Sequence, residues 1–155
     1  MTPLILLDDL KNEMRTLFEH ELFRYPEANT EKRLNVYQQN LPRQSAIESE
    51  EKMFPYILIA TEEGGQEEGA PSREAAVDFI IGTWDDNPDM QGYKVVMNVI
   101  EKIQRRFGEN SRITKFRAMG ESEWKLANDE TTAPYFYGIL RMKFQLPRYE
   151  RRDYE

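Results

Sequence analysis

The chain reads as an α+β fold: a mixed, mainly antiparallel sheet with two helices packed on one face. Three observations predict it. Two segments space their apolar residues three or four apart, as amphipathic helices do. Another segment, Tyr135 to Leu146, alternates apolar and mixed positions, as a long strand does. The order along the chain is helix, strands, helix, strands, and helices segregated from a sheet in this way pack on one of its faces.

The first helix is expected to start at Pro3, a favoured first helical position, with Thr2 as its cap. Leu7, Leu10, Met14, Leu17 and Phe18 fall on one face, and the pattern runs to about Phe23. Pro26 and Asn29 mark the exit. Arg33 to Gln39 alternates polar and apolar residues like a half-buried strand, and Asn40-Leu41-Pro42 stops it. Tyr56-Ile57-Leu58-Ile59-Ala60 is a continuous apolar run of strand length; covered on both faces, it would be a central strand.

From Glu62 to Ser72 no apolar side chain exceeds alanine, and Gly64, Gly65, Gly69 and Pro71 interrupt the run. A long, mobile loop is expected there, of the kind that carries function in a compact domain. Arg73 to Thr83 returns as a strand, with Val77, Phe79 and Ile81 on one face and Ala76, Asp78 and Ile80 on the other. The two strands and their loop form an extended hairpin in this reading. Gln91 to Phe107 is the second helix, with a stripe of Tyr93, Val96, Met97, Ile100, Ile103 and Phe107, ended by Gly108. Ile113 to Met119 and Glu123 to Leu126 read as short strands or strand-like connections before the long strand that Pro147 ends. Residues 1–147 form a single domain in this reading, and 148–155 a charged tail without periodicity.

At 155 residues, with eight Phe, eight Tyr and two Trp, the chain can bury a sizeable core and is not a disordered sequence. Its net charge is −7. Non-specific nucleic-acid binding, driven by Lys and Arg on phosphates, is disfavoured, and so is an anionic membrane surface. There are no cysteines, so disulfides, thiolate nucleophiles and Cys-based zinc sites are excluded. The apolar start Leu4-Ile5-Leu6-Leu7 is too short for a signal segment, and no stretch approaches a membrane span. A soluble protein made in the cytoplasm is expected.

Asp85, Asp86, Asn87 and Asp89 are the strongest chemical temptation. As an EF-hand loop starting at Asp85, the register would need Gly at position six and Glu at twelve; Met90 and Val96 stand there. A polar turn whose acidic groups favour the positive end of the following helix explains them better than a metal site. His20 is the sole histidine and reads as a surface residue near a helix end. No serine has a nucleophile-elbow context, and the Gly64/Gly65/Gly69 loop lacks the Lys and Ser/Thr of a phosphate cradle. No catalytic, cofactor or metal residue is assigned. Trp84 and Trp124 are either interface anchors or core packing.

Taken in order, the stretches Leu34-Asn35-Val36-Tyr37 to Leu41-Pro42, Phe54-Pro55-Tyr56-Ile57, Phe79 to Trp84, Gly92-Tyr93 to Ile103, Trp124-Lys125-Leu126, and Pro134-Tyr135-Phe136-Tyr137-Gly138 to Leu146-Pro147 resemble a tailed-bacteriophage tail terminator of the minor tail protein U type, also called a tail-completion or head–tail joining protein. The resemblance covers most of residues 1–147 and rests on the ordered series. It implies a sheet flanked by two helices and a homohexameric ring. That ring sits on the last ring of the tail-tube protein, stops polymerisation and offers a surface to the head-completion or connector protein, while DNA passes through the lumen without specific binding. It implies a structural virion protein, not an enzyme, with no cofactor and no membrane partner. Partner contacts are then expected at Glu62, Glu63, Glu67 and Glu68, at Trp84, Asp85, Asp86 and Asp89, and at Arg148, Arg151 and Arg152 of the tail. The rival readings are another head–tail connector, neck or tail-assembly protein, a soluble interaction module or assembly chaperone that never enters the particle, and a small metal-dependent hydrolase using Asp85, Asp86 and Asp89.

Overall fold

The computed structural model describes residues 3–25, 31–43, 53–65, 73–127 and 130–147. Helix α1 spans Pro3–Leu17 and buries Leu6, Leu7, Leu10 and Met14. Strands β1 (Phe23–Arg24) and β2 (Glu31–Lys32) form a small antiparallel ribbon. Strands β3 (Asn35–Gln38), β4 (Tyr56–Gly65) and β5 (Arg73–Trp84) follow. Helix α2 (Tyr93–Glu109) comes next, then β6 (Arg112–Ile113), β7 (Phe116–Leu126), a 3₁₀ turn at Glu130–Thr132 and β8 (Tyr135–Leu146). The main sheet has the order β3-β4-β5-β8-β7-β6. Its pairs are antiparallel except β3–β4, which is parallel. The expected α+β class, with a mixed and mostly antiparallel sheet, is what the structure contains.

Alternation sorts the sheet into two faces. Ile57, Ile59, Val77, Phe79, Ile81, Leu140, Met142 and Phe144 point to one side and pack with both helices in one core. From α2, Val96, Val99, Ile100, Ile103 and Phe107 enter that core, so both helices cover the same face as expected. The other face carries a second cluster of Met53, Phe54, Tyr56 and Leu58, with Tyr37, Trp84, Tyr135 and Tyr137 packed against it. Phe54 is its hub, with ring centroids 4.7 Å from Tyr135, 5.0 Å from Tyr56 and 5.9 Å from Tyr137. Tyr56 to Ala60 is buried on both sides by these clusters, which is why it reads as an unbroken apolar run. It stands one strand in from the sheet border rather than at the centre.

The expected element bounds need four corrections. Helix α1 stops at Leu17, not near Phe23. Phe23 keeps its apolar period by turning into β1 and entering the core there. Strand β4 runs on to Gly65, so Glu62 and Glu63 belong to the strand and not to a loop. Pairing of Glu63, Gly64 and Gly65 with Ala76, Ala75 and Glu74 holds them, after a bulge at Thr61/Glu63. Backbone hydrogen bonding extends a strand where side chains give no apolar signal. Helix α2 passes through Gly108 and ends with Asn110 in extended geometry, where Asn110 N–H donates to Arg106 O at 3.2 Å. After α2, Ile113 ends β6, a turn at Thr114 and Lys115 follows, and Phe116 to Leu126 form one long strand, β7, with an irregularity between Ala118 and Ser122. The expected cap Thr2 lies outside the described residues, as does most of the Glu62–Ser72 loop.

Ion pairs tie α2 to the chain around α1. Arg106 bonds Glu13, and Lys102 bonds Glu21. Thr114, at the two-residue turn between β6 and β7, donates to Asp9 Oδ2 of α1 at 2.6 Å. Arg141 Nε donates to Asp78 Oδ1 at 3.1 Å across directly paired positions of β8 and β5.

Tyr37 sits at the border of the second cluster, and burial pushes its phenol up from the usual 10.0. The unfolded chain then ionises this group first as pH rises, so it binds fewer protons than the folded chain and stability falls. Stability is therefore expected to be lost as pH climbs through 10 and beyond, and Tyr37→Phe to weaken that loss. Urea midpoints between pH 8 and 11 check this; identical slopes for both proteins would contradict it.

Candidate functional site

Strand β5 leaves the sheet at Thr83 and Trp84, and the chain then crosses to α2 through Asp85–Gly92. Asp85, Asn87 and Asp89 each turn the residue two places on. Asp85 Oδ1 accepts from Asn87 N–H at 3.0 Å, Asn87 Oδ1 from Asp89 N–H at 3.1 Å, and Asp89 Oδ1 from Gln91 N–H at 3.0 Å. These are serial Asx turns, the local bond that makes Asp and Asn turn residues. Met90 stands at φ 59°, in the left-handed region, and redirects the chain into the helix. The residue before α2 is Gly92, which gives no side-chain cap, and no acidic residue occupies the first turn. The expected acidic complement to the helix end is therefore not made; the carboxylates serve the turns instead.

Arg24 of β1 holds the start of this crossing. Its Nη1 donates to Asp85 Oδ1 at 2.5 Å and its Nη2 to Asp86 Oδ1 at 2.9 Å, and its guanidinium carbon lies 5.6 Å from the Trp84 ring centroid. Two of the expected contact aspartates and the tryptophan are thus gathered by one cation. Arg24 is half exposed, so the pairing adds under about 1 kcal/mol to stability. Its effect is on loop order. Arg24→Ala is expected to raise amide exchange in residues 85–91 while moving the urea midpoint little; unchanged exchange in that segment would refute the latch.

Arg24, Leu22, Phe23, Trp84, Val95 and Val99 line a cleft of ≈ 200 Å³ between β1, the end of β5 and α2. Thr83 lies on its wall. It is 3% exposed, and its Oγ1 has no hydrogen-bond partner among the described residues. A buried hydroxyl without a partner costs about 1–3 kcal/mol relative to a satisfied one. Thr83→Val keeps the β-branched shape and deletes that group, so it is expected to stabilise the fold by about 1 kcal/mol. A lower melting temperature in the variant would show that the hydroxyl is used.

The remaining expected contact residues scatter. Glu62 is exposed on β4, and Glu63 is in the same strand. Asp89 is exposed, and among the described residues its side chain bonds only within its own turn. Glu67, Glu68, Arg148, Arg151 and Arg152 lie outside the described residues. Trp84 packs on the second cluster, whereas Trp124 is 51% exposed on β7. His20 is solvent-exposed beside Glu19. No group of three or more His, Asp and Glu among the described residues is placed to hold a metal ion. No helix among them is long and apolar enough to cross a membrane.

Sequence reasoning missed Arg24, which lies 61 residues from Asp85 and just past the expected end of the first helix. It also missed the outward aromatic cluster as a unit. Its signal was present as Phe54-Pro55-Tyr56 and Tyr135-Phe136-Tyr137, but nothing in either stretch says that they meet. Comparison with models of known protein families finds no match, and comparison with the curated proteins finds none either.

Proposed function

We propose that this protein is a structural component of a tailed bacteriophage that closes into a homohexameric ring on the end of the tail tube. The ring ends polymerisation of the tube and joins the finished tail to the head connector. The observation that carries this reading is the sheet with two helices on one face, in the chain order that the resemblance implies. The aspartates of the β5–α2 crossing support a scaffolding role over a hydrolytic one, because they are committed to turns and to Arg24. An overall charge of −7 suits a conduit that DNA traverses without being gripped.

The mechanism is steric. One ring face complements the tube end and the other does not, so no further tube subunit can add. A head-to-tail subunit contact generates such a ring when its rotation closes. The test is to polymerise the cognate tail-tube protein with and without this chain and to image the products by negative stain. Rings seated on tube ends and a halt to elongation are the expected result. Tubes that lengthen unchanged, with no added density at either end, would refute the proposal.

A further inference from the structure

Strand β3 is one border of the six-stranded sheet, and β7, beyond the short β6, is the other. Strand β6 pairs with β7 only at Phe116 and Arg117. Ala118 N–H donates to Ser111 O at 2.7 Å, and from Met119 to Leu126 no described strand lies on the outer side of β7. A strand edge of this length is a template for another strand. We propose that β7 takes β3 of a second copy along this edge, so that the sheet continues from subunit to subunit. The inference rests on the ring reading above and names the contact that closes the ring.

Direction, charge and apolar surface agree on that occupant. Strand β3 is parallel to β4, and each further step through β5, β8 and β7 reverses direction. Strands β3 and β7 thus point opposite ways within one sheet. Copies related by rotation, with their sheets facing the same way, therefore meet in antiparallel register. The contact joins two different edges, which is the head-to-tail kind that builds rings.

On the face away from the helices, the free stretch of β7 carries exposed Glu121, Glu123 and Lys125. On α2, Gln104 donates to Ser122 Oγ at 3.2 Å, and Glu101 shares that flank one turn earlier. The β3 border is basic. Asp8 of α1 accepts from Gln38 Nε2 at 2.8 Å, so the α1 flank bearing Asp8 overlooks β3. At helical spacing Lys11 and Arg15 share that flank, and Arg33 is exposed just before β3. Joining β7 to β3 brings Glu101 of α2 to the side of the sheet on which the neighbour's Lys11 and Arg15 stand, acid against base.

Apolar groups match as well. Trp124 pairs opposite Leu140, so it stands on the helix-bearing face at the β7 border, 51% exposed. Leu4, 61% exposed, lies on the α1 flank above β3. Joining the borders brings this tryptophan against the neighbour's α1, and a tryptophan is a common interface anchor.

The absence of cysteine makes the test direct. Gln38 and both Ser122 and Trp124 stand on the helix-bearing face, so Gln38→Cys is combined with Ser122→Cys or with Trp124→Cys to sample two registers. Each variant is checked for native circular dichroism and then oxidised mildly with tail tubes present. A ladder of cross-linked multimers is expected from a double variant, with none from any single variant. Dimers from Ser122→Cys or Trp124→Cys alone would mean that β7 pairs with itself, and would overturn the inference.

Charge reversal gives a second reading. Glu101→Lys is expected to reduce ring assembly by about tenfold or more, and so is Lys11→Glu with Arg15→Glu. Mixing the two reversed proteins is expected to restore it, because every border then faces its opposite. Rings that form without cross-links and ignore both reversals would sink this contact while leaving the ring reading intact. Monomers throughout, with bare tubes, would sink both.

Discussion

Phe79→Ala is expected to remove about 3–5 kcal/mol of folding stability, the largest loss from any single side chain considered. Phe79 is 0% exposed, in the middle of β5, and its direct neighbours across the sheet are Ile59 and Leu140, both fully buried. The three form a row under the helices, within the same core as Val96 and Ile100 of α2. Removing the ring leaves a void that a well-packed row cannot collapse to fill, so a cavity cost adds to the lost transfer energy. Against a total of about 5–15 kcal/mol for a domain of ordinary stability, this is a third or more. Urea denaturation should show a lower midpoint with an unchanged slope. Ile139→Ala, on the exposed side of the neighbouring strand, should shift the midpoint by no more than about 0.5 kcal/mol. Equal losses at the two positions would mean that the helix-covered face is not the main core.

Gly82→Ala is the second large effect, and it acts through excess volume. A Cβ at Gly82 would meet Tyr56 Cε2 at 2.4 Å, Tyr56 Cζ at 2.6 Å and Phe54 Cε1 at 2.9 Å. Gly82 pairs directly with Tyr56 on one side and Tyr137 on the other, so its missing side chain is the space that these rings occupy. Tyr56 is almost fully buried and packs with Phe54 and Tyr37, so the ring cannot swing aside without disturbing the whole outer cluster. The expected cost is about 1–3 kcal/mol. Tyr56→Leu should cost stability in the parent protein yet relieve the Gly82→Ala defect. A double-mutant cycle measures this coupling, which is expected to be about 1 kcal/mol or more. Strict additivity would show that the contact does not limit packing there.

The two effects probe opposite faces of one sheet, and the faces were not equally legible. On the helix-bearing face, the 3.6-residue stripes of α1 and α2 and the alternation of Val77, Phe79 and Ile81 are local patterns, and each names its buried side without reference to any partner. The outer face is built by residues far apart in the chain, Tyr37, Phe54, Tyr56, Trp84, Tyr135 and Tyr137, which become one cluster only through strand order. The crossing after Trp84 was legible as an Asp-rich turn, because an Asx turn is a bond across two residues. Its latch was not, because Arg24 arrives from a short ribbon, past the expected end of the first helix, for which no local pattern gives a signal.

From composition and periodicity alone followed the α+β class, the long strand Tyr135–Leu146, the second helix and the turn chemistry of residues 85–91, since all of these depend on neighbours within a few positions. The tertiary structure alone decided where α1 stops, how far β4 extends past its last apolar residue, which aromatics meet, and which two strands border the sheet. The physical reason is that backbone hydrogen bonds and long-range packing are satisfied between distant segments, and no local window of residues contains both partners of such a contact.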